Sequence, residues 1–345
     1  MTLKVGVVGT GGIFKGAHLP GWLSHKEVEV VAFCDSHRAS AEAVAKEFPG
    51  TKVYDDYREL LADPSIDIVG ISTPNLYHSE ISIAALRNGK HVFCEKPDAI
   101  NPLEAQKMAG VAKESGKLLM VMRNNRFSNE AMYAKRIIEQ GQLGDLYMGR
   151  CGWIRRRGIP GRGGWFTTKE LSGGGPLIDL GVHMIDMALW LSGNPKPIAV
   201  SGTTYRKFAD RPDASGKVPA GTFDVEDLAA GFIRFDNGAS LQIEFSWASN
   251  IAEEQKFLEW RGTEGGFSLI DDKLRVFTES EGTLVDLQPQ FPGATIPQHT
   301  ANIHHFIECV LGRVTPIFTP DQGVDMIKIL SAIYESADSG REVRL

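Results

Sequence analysis

The sequence has few cysteines, no long apolar run and no excess of basic residues, and each absence excludes a class of protein. Its four cysteines lie far apart, without a Cys-x-x-Cys pair or a Cys/His cluster, so we expect neither a disulfide framework nor a metal site. No apolar run approaches the roughly 18 residues of a membrane helix, and the N-terminus lacks a signal-peptide pattern, which predicts a cytoplasmic protein without a membrane partner. The net charge of −6 disfavours nucleic-acid binding, which normally needs a basic surface.

Glycine is the residue type in excess, since 37 of the 345 residues are glycine, against an average near 7%. Five lie between positions 6 and 16 and eight between 158 and 181. Because glycine permits tight turns and close approach of the backbone to a ligand, both clusters are candidate binding regions. The length suits two domains of roughly 150 residues each.

The first 123 residues alternate between strand-like and helix-like segments. Short apolar runs, mostly rich in β-branched residues, predict strands at 3–8, 28–34, 52–54, 68–72, 91–94 and 118–122. Apolar residues at three- and four-residue spacing predict helices at 37–48, 79–88 and 102–115. Buried strands that alternate with helices are typical of a doubly wound parallel sheet. We therefore predict an α/β Rossmann domain over residues 1–123.

Residues 124–345 have strands that alternate polar and apolar side chains. A helix is expected at 128–140, and strands at 146–157, 198–206, 227–235, 240–248, 255–261, 266–270 and 274–278. The turn sequence Asp236-Asn237-Gly238 between two of them is a hairpin signal, and further helices are expected at 177–191 and 321–337. This pattern predicts a C-terminal α+β domain with a large, mostly antiparallel open sheet.

The first strand leads into the glycine-rich turn Gly9-Thr10-Gly11-Gly12-Ile13-Phe14. Glycines at such a turn let the backbone approach a pyrophosphate at the N-terminus of the next helix, although Phe14 replaces the third glycine of the usual pattern. Asp35, at the end of the second strand, can accept hydrogen bonds from adenosine ribose hydroxyls. A plain strand–helix turn and a helix-capping Asp35 are the alternatives. Ser36 and Arg38 leave NADP open beside the favoured NAD.

Two further segments follow the fourth and fifth strands, at the carboxyl ends where open α/β sheets bind ligands. They are Ser72-Thr73-Pro74-Asn75 and Cys94-Glu95-Lys96-Pro97. The proline after Lys96 restricts the backbone, so that the lysine is delivered from a rigid position. Taken by itself, however, Lys96 is better explained as a solvated loop lysine.

The glycine-rich segment 173–187 holds a histidine between two acids. Asp179, His183 and Asp186 are spaced by four and three residues, so on a helix they share one face. A histidine one turn from carboxylates can transfer protons near neutral pH. A packed, hydrogen-bonded histidine and a metal ligand are the alternatives, the second disfavoured because no further His or Cys group lies nearby.

A basic, glycine-rich loop over residues 155–166 precedes that segment. Trp165 is a candidate for stacking on a sugar face, and Arg157 and Lys169 are candidates for binding hydroxyls, joined by Arg123 and Arg126 after the sixth strand. A solvated basic loop is the equal alternative. Convergent arginines would favour an acidic substrate such as a uronate or a sugar phosphate.

Taken together, these residues resemble the Gfo/Idh/MocA oxidoreductase family, which includes glucose–fructose oxidoreductase and inositol dehydrogenases. The likeness spans nearly the whole chain, and its most specific parts are Glu95-Lys96-Pro97 and the 173–183 block with Asp186. It also includes the Gly9-Thr10-Gly11-Gly12 turn, Asp35, Thr73-Pro74-Asn75, His78, Thr319, Gly323 and the 333–337 segment. Phe14 and Asp98 depart from the family pattern, the latter where an apolar residue is usual.

The resemblance implies that Lys96 hydrogen-bonds the reacting hydroxyl, that His183 is the general acid/base, and that Asp179 binds substrate and assists His183. The residues implied in cofactor binding are Gly9, Gly11, Gly12, Ile13, Phe14, Asp35, Ser36, Arg38, Thr73, Pro74, Asn75, His78, Glu95 and Lys96. The candidates for substrate binding are Arg123, Arg126, Arg157, Trp165, Lys169, Asp179 and His183.

The predicted activity is hydride transfer between nicotinamide and a secondary alcohol of a sugar, sugar acid or cyclitol, with NAD or alternatively NADP as cofactor. Two other interpretations stay open: a redox-assisted, NAD-dependent glycosidase of the same family, and a non-catalytic NAD-binding regulator. The resemblance also implies a substrate-binding domain over residues 124–345 and a homo-oligomer, dimer or tetramer, formed through the C-terminal sheet.

Overall fold

The computed structural model describes residues 2–212, 216–218, 220–293 and 295–345. The chain forms two compact units, one of residues 1–124 and 296–327 and the other of residues 125–295 and 328–345. Each unit contains one sheet. None of the helices in the described ranges combines the length and the apolar composition needed to cross a bilayer.

The strands, in chain order, are β1 (Leu3–Val8), β2 (Val28–Cys34), β3 (Lys52–Tyr54), β4 (Ile68–Ile71), β5 (His91–Cys94), β6 (Leu119–Val121), β7 (Leu146–Ile154), β8 (Pro197–Tyr205), β9 (Leu228–Phe235), β10 (Ser240–Ser246), β11 (Gln255–Gly262), β12 (Gly265–Ile270), β13 (Lys273–Ser280), β14 (Thr283–Leu287) and β15 (Val343–Arg344).

The α-helices are α1 (Leu19–Leu23), α2 (Arg38–Ala45), α3 (Tyr57–Ala62), α4 (His78–Arg87), α5 (Pro102–Ser115), α6 (Asn129–Glu139), α7 (Lys169–Ser172), α8 (Val182–Leu191), α9 (Gln298–Val310) and α10 (Pro320–Ser339). Wider, π-type turns at Phe14–His18 and Leu177–Gly181 run directly into α1 and α8. The single helix predicted at 177–191 is therefore a π-type turn followed by an α-helix.

The sheet of the first unit is parallel, with the strand order β3-β2-β1-β4-β5-β6. Each of the six strands predicted in residues 1–123 is present, with ends within one residue of those expected. The order reverses between β1 and β4, and ligands of such sheets bind at the carboxyl ends of the strands beside this reversal. The prediction of a doubly wound parallel sheet is confirmed.

Local capping explains why α5 begins and ends where it does. The Asn101 side chain accepts a hydrogen bond from the amide of Glu104, and Pro102 occupies the first turn, where its missing N–H is not needed. At the other end Gly116 takes the left-handed conformation, with φ of +64°, which a side chain would disfavour. The sequence therefore specifies both ends of this helix locally.

The sheet of the second unit has the order β14-β13-β12-β11-β7-β10-β9-β8-β15 and is antiparallel except where β7 pairs with β10. The mostly antiparallel open sheet is confirmed. Along β10 the side chains of Leu241, Ile243 and Phe245 are buried on one face, while Gln242 on the other is exposed. This alternation is what the sequence pattern predicted.

Several elements lie outside the predicted set. They are α1, α3, α7, α9, β14 and β15. β15 has two residues and pairs only with β8, so no periodicity could identify it. On β14, Leu284 and Leu287 are exposed, and an edge strand that buries little gives a weak pattern.

A buried ion pair joins α8 to the turn before α6 inside the second unit. Arg126 donates to Asp186 through Nε at 2.8 Å and through Nη2 at 2.7 Å. Both residues are almost fully buried, and the Arg126 guanidinium carbon lies 5.6 Å from the centre of the Trp190 ring. The two-pronged geometry compensates the desolvation of both charges.

A second buried pair lies in the first unit, where His18 Nε2 and Glu95 Oε1 are 2.6 Å apart. Burial raises the pKa of Glu95, but the hydrogen bond from His18 and the nearby His18, Lys96 and His299 charges outweigh it and lower the pKa to about 2. A carboxylate with a depressed pKa stabilises the fold wherever it is ionised.

Replacing Asp186 by Asn leaves the Arg126 charge buried without its counter-charge, and we expect a loss of about 3–5 kcal/mol in the free energy of unfolding. The control is Glu104→Gln, which breaks the more exposed Lys107–Glu104 pair and should cost about 0–1 kcal/mol. Urea unfolding of both variants measures the difference. Equal losses would contradict a structural role for the buried pair.

Stability at acid pH should depend on Glu95. Because its pKa is lowered to about 2 from 4.5 in the folded protein, its contribution is complete above pH 4.5 and is lost as the pH falls towards 2. In Glu95→Gln the free energy of unfolding should therefore change less steeply with pH over this range than in the wild type. Urea unfolding at a series of pH values tests this, and identical slopes would refute it.

Candidate active site

The glycine-rich turn after β1 is fixed by contacts inside the first unit. Gly9 has a φ of +92°, and a Cβ built there would lie 2.6 Å from the carbonyl carbon and oxygen of Ser72, so only glycine fits. The next residue, Thr10, donates to Asp35 Oδ2 through its amide and its hydroxyl, both at 2.9 Å. Asp35 thus holds the turn after β1 to the end of β2, while its Oδ1 accepts from the amide of His37 at 3.0 Å.

Phe14, at the position of the usual third glycine, points into the core. Its side chain is fully buried and packs edge-on against Phe33 of β2, with ring centres 6.0 Å apart. The aromatic ring therefore does not obstruct the turn, and only the backbone of Phe14 is left to face a ligand. Ile13 beside it is exposed.

The residues predicted to distinguish NAD from NADP are exposed. Arg38 donates to Glu42 Oε1 at 2.9 Å and lies 3.7 Å from Asp55 Oδ2. Two carboxylates therefore already neutralise the cation that would meet a 2′-phosphate. Ser36 lies beside it at the end of β2.

His78 links the loops that follow β4 and β5. Its Nδ1 lies 2.8 Å from the carbonyl oxygen of Pro97 and its Nε2 lies 2.9 Å from that of Thr73. Burial lowers the pKa of His78, while the two carbonyl contacts oppose this shift. Asn75 is buried and Pro74 is half-buried in the same loop. His78 therefore fixes the two loops that carry the predicted nicotinamide-site residues.

Lys96 is half-buried at the end of β5. Its amide donates to Glu95 Oε2 at 3.0 Å, while the other carboxylate oxygen of Glu95 contacts His18. His299 of α9 lies near this pair, with its ring centre 6.2 Å from that of His18, and burial lowers its pKa. Glu95 is thus held from both sides, and it orients the backbone that carries Lys96.

Two observations test whether these residues fit a dinucleotide. A Cβ on Gly11 or Gly12 would meet no atom within 4 Å, so internal packing does not require glycine there, whereas a closely approaching pyrophosphate does. The Thr73 hydroxyl is buried and has no hydrogen-bond partner among the described residues, so it is available to a ligand. Together with Asp35, these residues fit NAD.

In the second unit, Asp179 lies in the π-type turn Leu177–Gly181 and His183 follows in α8. Asp179 Oδ2 accepts a hydrogen bond of 3.0 Å from Nε1 of the fully buried Trp247. The His183 ring lies 6.3 Å from that of Trp153 on β7. A π-type turn at this point is typical of functional positions. Asp179 and His183 are each half-buried, as a site open to substrate requires.

A buried carboxylate fixes the start of this helical segment. Glu226 accepts from the amides of Gly175 at 2.9 Å and Leu177 at 3.1 Å, and from the hydroxyl of Tyr334 at 2.9 Å. Burial raises the pKa of Glu226, although these donors oppose the shift. A Cβ on Gly174 would collide with the Tyr334 hydroxyl, and one on Gly175 with the Glu226 carbonyl. The glycine run is therefore required by close packing.

The arginines offered by the sequence as substrate ligands bind parts of the protein itself. Arg123 donates to Asp98 at 2.5 Å and to the carbonyl of Met122, and Arg126 pairs with Asp186. Arg157 donates to the carbonyl of Ser249 and to Asn250 Oδ1, both at 3.0 Å. The pairing with Arg123 also explains why a charged residue, Asp98, occupies a position where the family pattern usually has an apolar one.

The aromatic and lysine candidates of the same region differ in their exposure. Trp165 stacks on Phe166, with ring centres 3.8 Å apart, and both residues are half-buried. Lys169 is exposed, and its Nζ lies 6.0 Å from the ring of Tyr334. Trp165 remains a candidate for contact with a sugar face.

Sequence reasoning did not single out Thr10, His18, Trp153, Glu226 or Trp247. Thr10 lies inside the glycine-rich motif, so it could have been found there. The others contact the predicted site residues only through tertiary packing, and nothing in their local sequence marks them.

Known proteins resemble this chain over its whole length. The family model described as "Oxidoreductase family, NAD-binding Rossmann fold" matches residues 3–123, and that described as "GFO/IDH/MocA C-terminal domain" matches residues 131–268. D-glucoside 3-dehydrogenase of Escherichia coli (strain K12) is 33% identical over 346 aligned positions, which cover 99% of this chain and 97% of that protein.

A second relative is scyllo-inositol 2-dehydrogenase (NAD⁺) of Bacillus subtilis (strain 168), 30% identical over 323 positions that cover 92% of this chain and 89% of that protein. Among solved structures, a levoglucosan dehydrogenase in complex with NADH and L-sorbose superposes with a TM-score of 0.89 at 26% identity, covering 100% of this chain and 99% of that one. With both halves matched by its models, the protein belongs to the Gfo/Idh/MocA family of NAD-binding oxidoreductases.

Proposed function

We propose that the protein is an NAD-dependent dehydrogenase that oxidises a secondary alcohol of a sugar or cyclitol, or reduces the corresponding ketone. The observation that carries this proposal is the placement of Asp179 and His183 in successive turns, with the Asp179 carboxylate held by the buried Trp247 indole. A histidine beside an oriented carboxylate is suited to transferring the hydroxyl proton.

The proposed catalytic residues have distinct roles in this mechanism. His183 accepts the proton of the reacting hydroxyl, and Asp179 binds substrate and assists His183. Lys96 donates a hydrogen bond to the hydroxyl oxygen, and the Glu95 contact with its amide orients it. Bound NAD supplies the hydride acceptor at nicotinamide C4. In the reverse direction His183 returns the proton to the alcohol oxygen.

For cofactor binding, we propose that the amides of Gly11 and Gly12 contact the pyrophosphate and that Asp35 binds the adenosine ribose. Gly9, Ile13, Phe14 and Ser36 shape the surrounding turn, and Thr73, Pro74, Asn75 and His78 the nicotinamide side. NAD is favoured over NADP because Glu42 and Asp55 neutralise Arg38.

We place neutral sugars and cyclitols ahead of sugar acids as substrates. The guanidinium groups of Arg123, Arg126 and Arg157 are engaged by acceptors of the protein itself, and we propose that they hold the surrounding loops. Trp165 is proposed to stack on a sugar face, and Lys169 to bind hydroxyls. The names of the relatives, a glucoside, an inositol and a levoglucosan dehydrogenase, agree with this class.

We further propose that residues 1–123 form the cofactor domain and 124–345 the substrate and oligomerisation domain, with 296–327 packing on the first. A homo-oligomer, dimer or tetramer, would form through the open face of the second sheet. On that face Phe232, Phe257 and Phe277 lie under the guanidinium groups of Arg234, Arg150 and Arg275.

We propose a cytoplasmic location for the protein. The four free cysteines agree with the reducing conditions of the cytoplasm.

His183→Ala should lower kcat/KM by about 10²–10⁴-fold, the range for loss of a general acid/base, with NAD binding unchanged. The assay follows NADH formation and glycoside cleavage across neutral sugars, cyclitols, glycosides and uronates. His304→Ala, a half-buried histidine of α9 whose side chain bonds to Ser24, is the control and should keep wild-type rates. A loss below about threefold for His183→Ala would contradict the role assigned to this residue.

The same screen separates the other interpretations. Cleavage of glycosides without net NADH would identify the redox-assisted glycosidase, and tight NAD binding without turnover of any substrate would identify a regulator.

The oligomer proposal predicts a species larger than one chain in sedimentation equilibrium. Phe277→Glu should shift it towards the monomer, because a charge on the open sheet face opposes burial there. A wild-type protein that sediments as a monomer would refute it.

A further inference from the structure

The buried indole of Trp247 makes a side-chain hydrogen bond to a residue of the proposed catalytic machinery. Its Nε1 lies 3.0 Å from Oδ2 of Asp179, and the indole is fully buried. Indole N–H is a donor only and does not titrate in the working range of an enzyme. Trp247 therefore cannot exchange a proton with Asp179, but it can fix the direction in which the carboxylate points.

The backbone of Trp247, which carries the indole, is hydrogen-bonded to the neighbouring chain segment. Trp247 follows β10 directly, and its amide donates to the carbonyl of Asp227 at 3.0 Å. Asp227 Oδ2 in turn accepts from the amides of Lys207 and Phe208. The donor that binds Asp179 thus follows a strand directly and is hydrogen-bonded through its own amide, whereas Asp179 lies in a π-type turn.

That turn has a second, independent restraint at its start. Glu226, which also accepts from the Tyr334 hydroxyl, accepts hydrogen bonds from the amides of Gly175 and Leu177. These bonds fix the backbone ahead of Asp179 but not its side-chain torsions. The Trp247 indole supplies a restraint on the carboxylate itself.

We propose that Trp247 is a positioning residue for catalysis: its indole N–H fixes the orientation of the Asp179 carboxylate that assists His183. This inference rests on the proposed function of Asp179 and His183. Hydrogen bonds to charged groups are among the stronger ones in proteins, and small errors in the placement of a catalytic group cost rate.

The chain offers a matched control in Trp260. This residue lies in β11 of the same sheet and is also almost fully buried, but its Nε1 has no hydrogen-bond partner among the described residues. Replacing Trp260 by Phe removes the same atoms from the same sheet without removing a hydrogen bond. The comparison of Trp247→Phe with Trp260→Phe therefore isolates the bond to Asp179 from the loss of indole volume.

The kinetic experiment is a double-mutant cycle on Trp247 and Asp179. We expect Trp247→Phe to lower kcat/KM by about tenfold, chiefly through kcat, and Trp260→Phe to stay within about twofold of the wild type. In an Asp179→Ala background, Trp247→Phe should cause no further loss, because the acceptor is already gone. Thermal unfolding of both Phe variants checks that they lose similar stability.

A spectroscopic measurement tests the bond without turnover. The six tryptophans give indole N–H signals in protein labelled with ¹⁵N-tryptophan, and Trp247→Phe identifies the signal of Trp247. In Asp179→Ala this signal should move upfield, while that of Trp260 should not.

Three outcomes would overturn the proposal. An unmoved Trp247 signal in Asp179→Ala would show that the bond is absent. Equal rates for the two Phe variants, with Asp179→Ala strongly impaired, would show that the bond has no role in catalysis while the proposed function stands. Wild-type rates in Asp179→Ala would refute the proposed role of Asp179, and the positioning role of Trp247 with it.

Discussion

Close approach of neighbouring atoms, made possible by the absence of a Cβ, is the constraint on which the proposed functional turn of each unit depends. Gly9 lies against the carbonyl of Ser72 with a positive φ, which places the turn after β1 beside the loop after β4. In the other unit, Gly174 and Gly175 lie against Tyr334 and Glu226, which brings the start of the Asp179 segment onto a buried carboxylate. In each case a larger residue would push the functional turn away from its support.

Buried charges are the second common feature, and each is compensated. Glu95 meets His18, Arg126 meets Asp186, and Glu226 meets two backbone amides and a tyrosine hydroxyl. Such groups are expensive to bury without partners and hold a geometry firmly once paired. They lie next to the residues proposed to act on substrate, so that Lys96, Asp179 and His183 each extend from a hydrogen-bonded part of their own unit.

Much of this architecture could be predicted from the sequence because its determinants are local. The six parallel strands follow from short apolar runs, and helix α5 from its Asn101 cap and Gly116 end. What could not be predicted follows from long-range contacts. β15 has two residues, and the role of Arg123 depends on its meeting Asp98, 25 positions away. In the sequence, Phe14 departs from the glycine pattern of the turn. In the structure its ring lies in the core, packed against Phe33.

By itself, the sequence determined the two kinds of sheet and the glycine-rich turn, because strand alternation and turn chemistry act over a few residues. It marked Asp179 and His183 by their four-residue spacing and Lys96 only through the family resemblance, and the roles of these three residues stay predictions. Tertiary structure alone decided which glycines packing requires and which are left open to a ligand. It also decided that the arginines bind the protein's own acceptors, and that Asp179 receives its hydrogen bond from Trp247, 68 positions further along the chain. Those outcomes depend on contacts between residues that are far apart in the chain, and no local sequence pattern encodes such contacts.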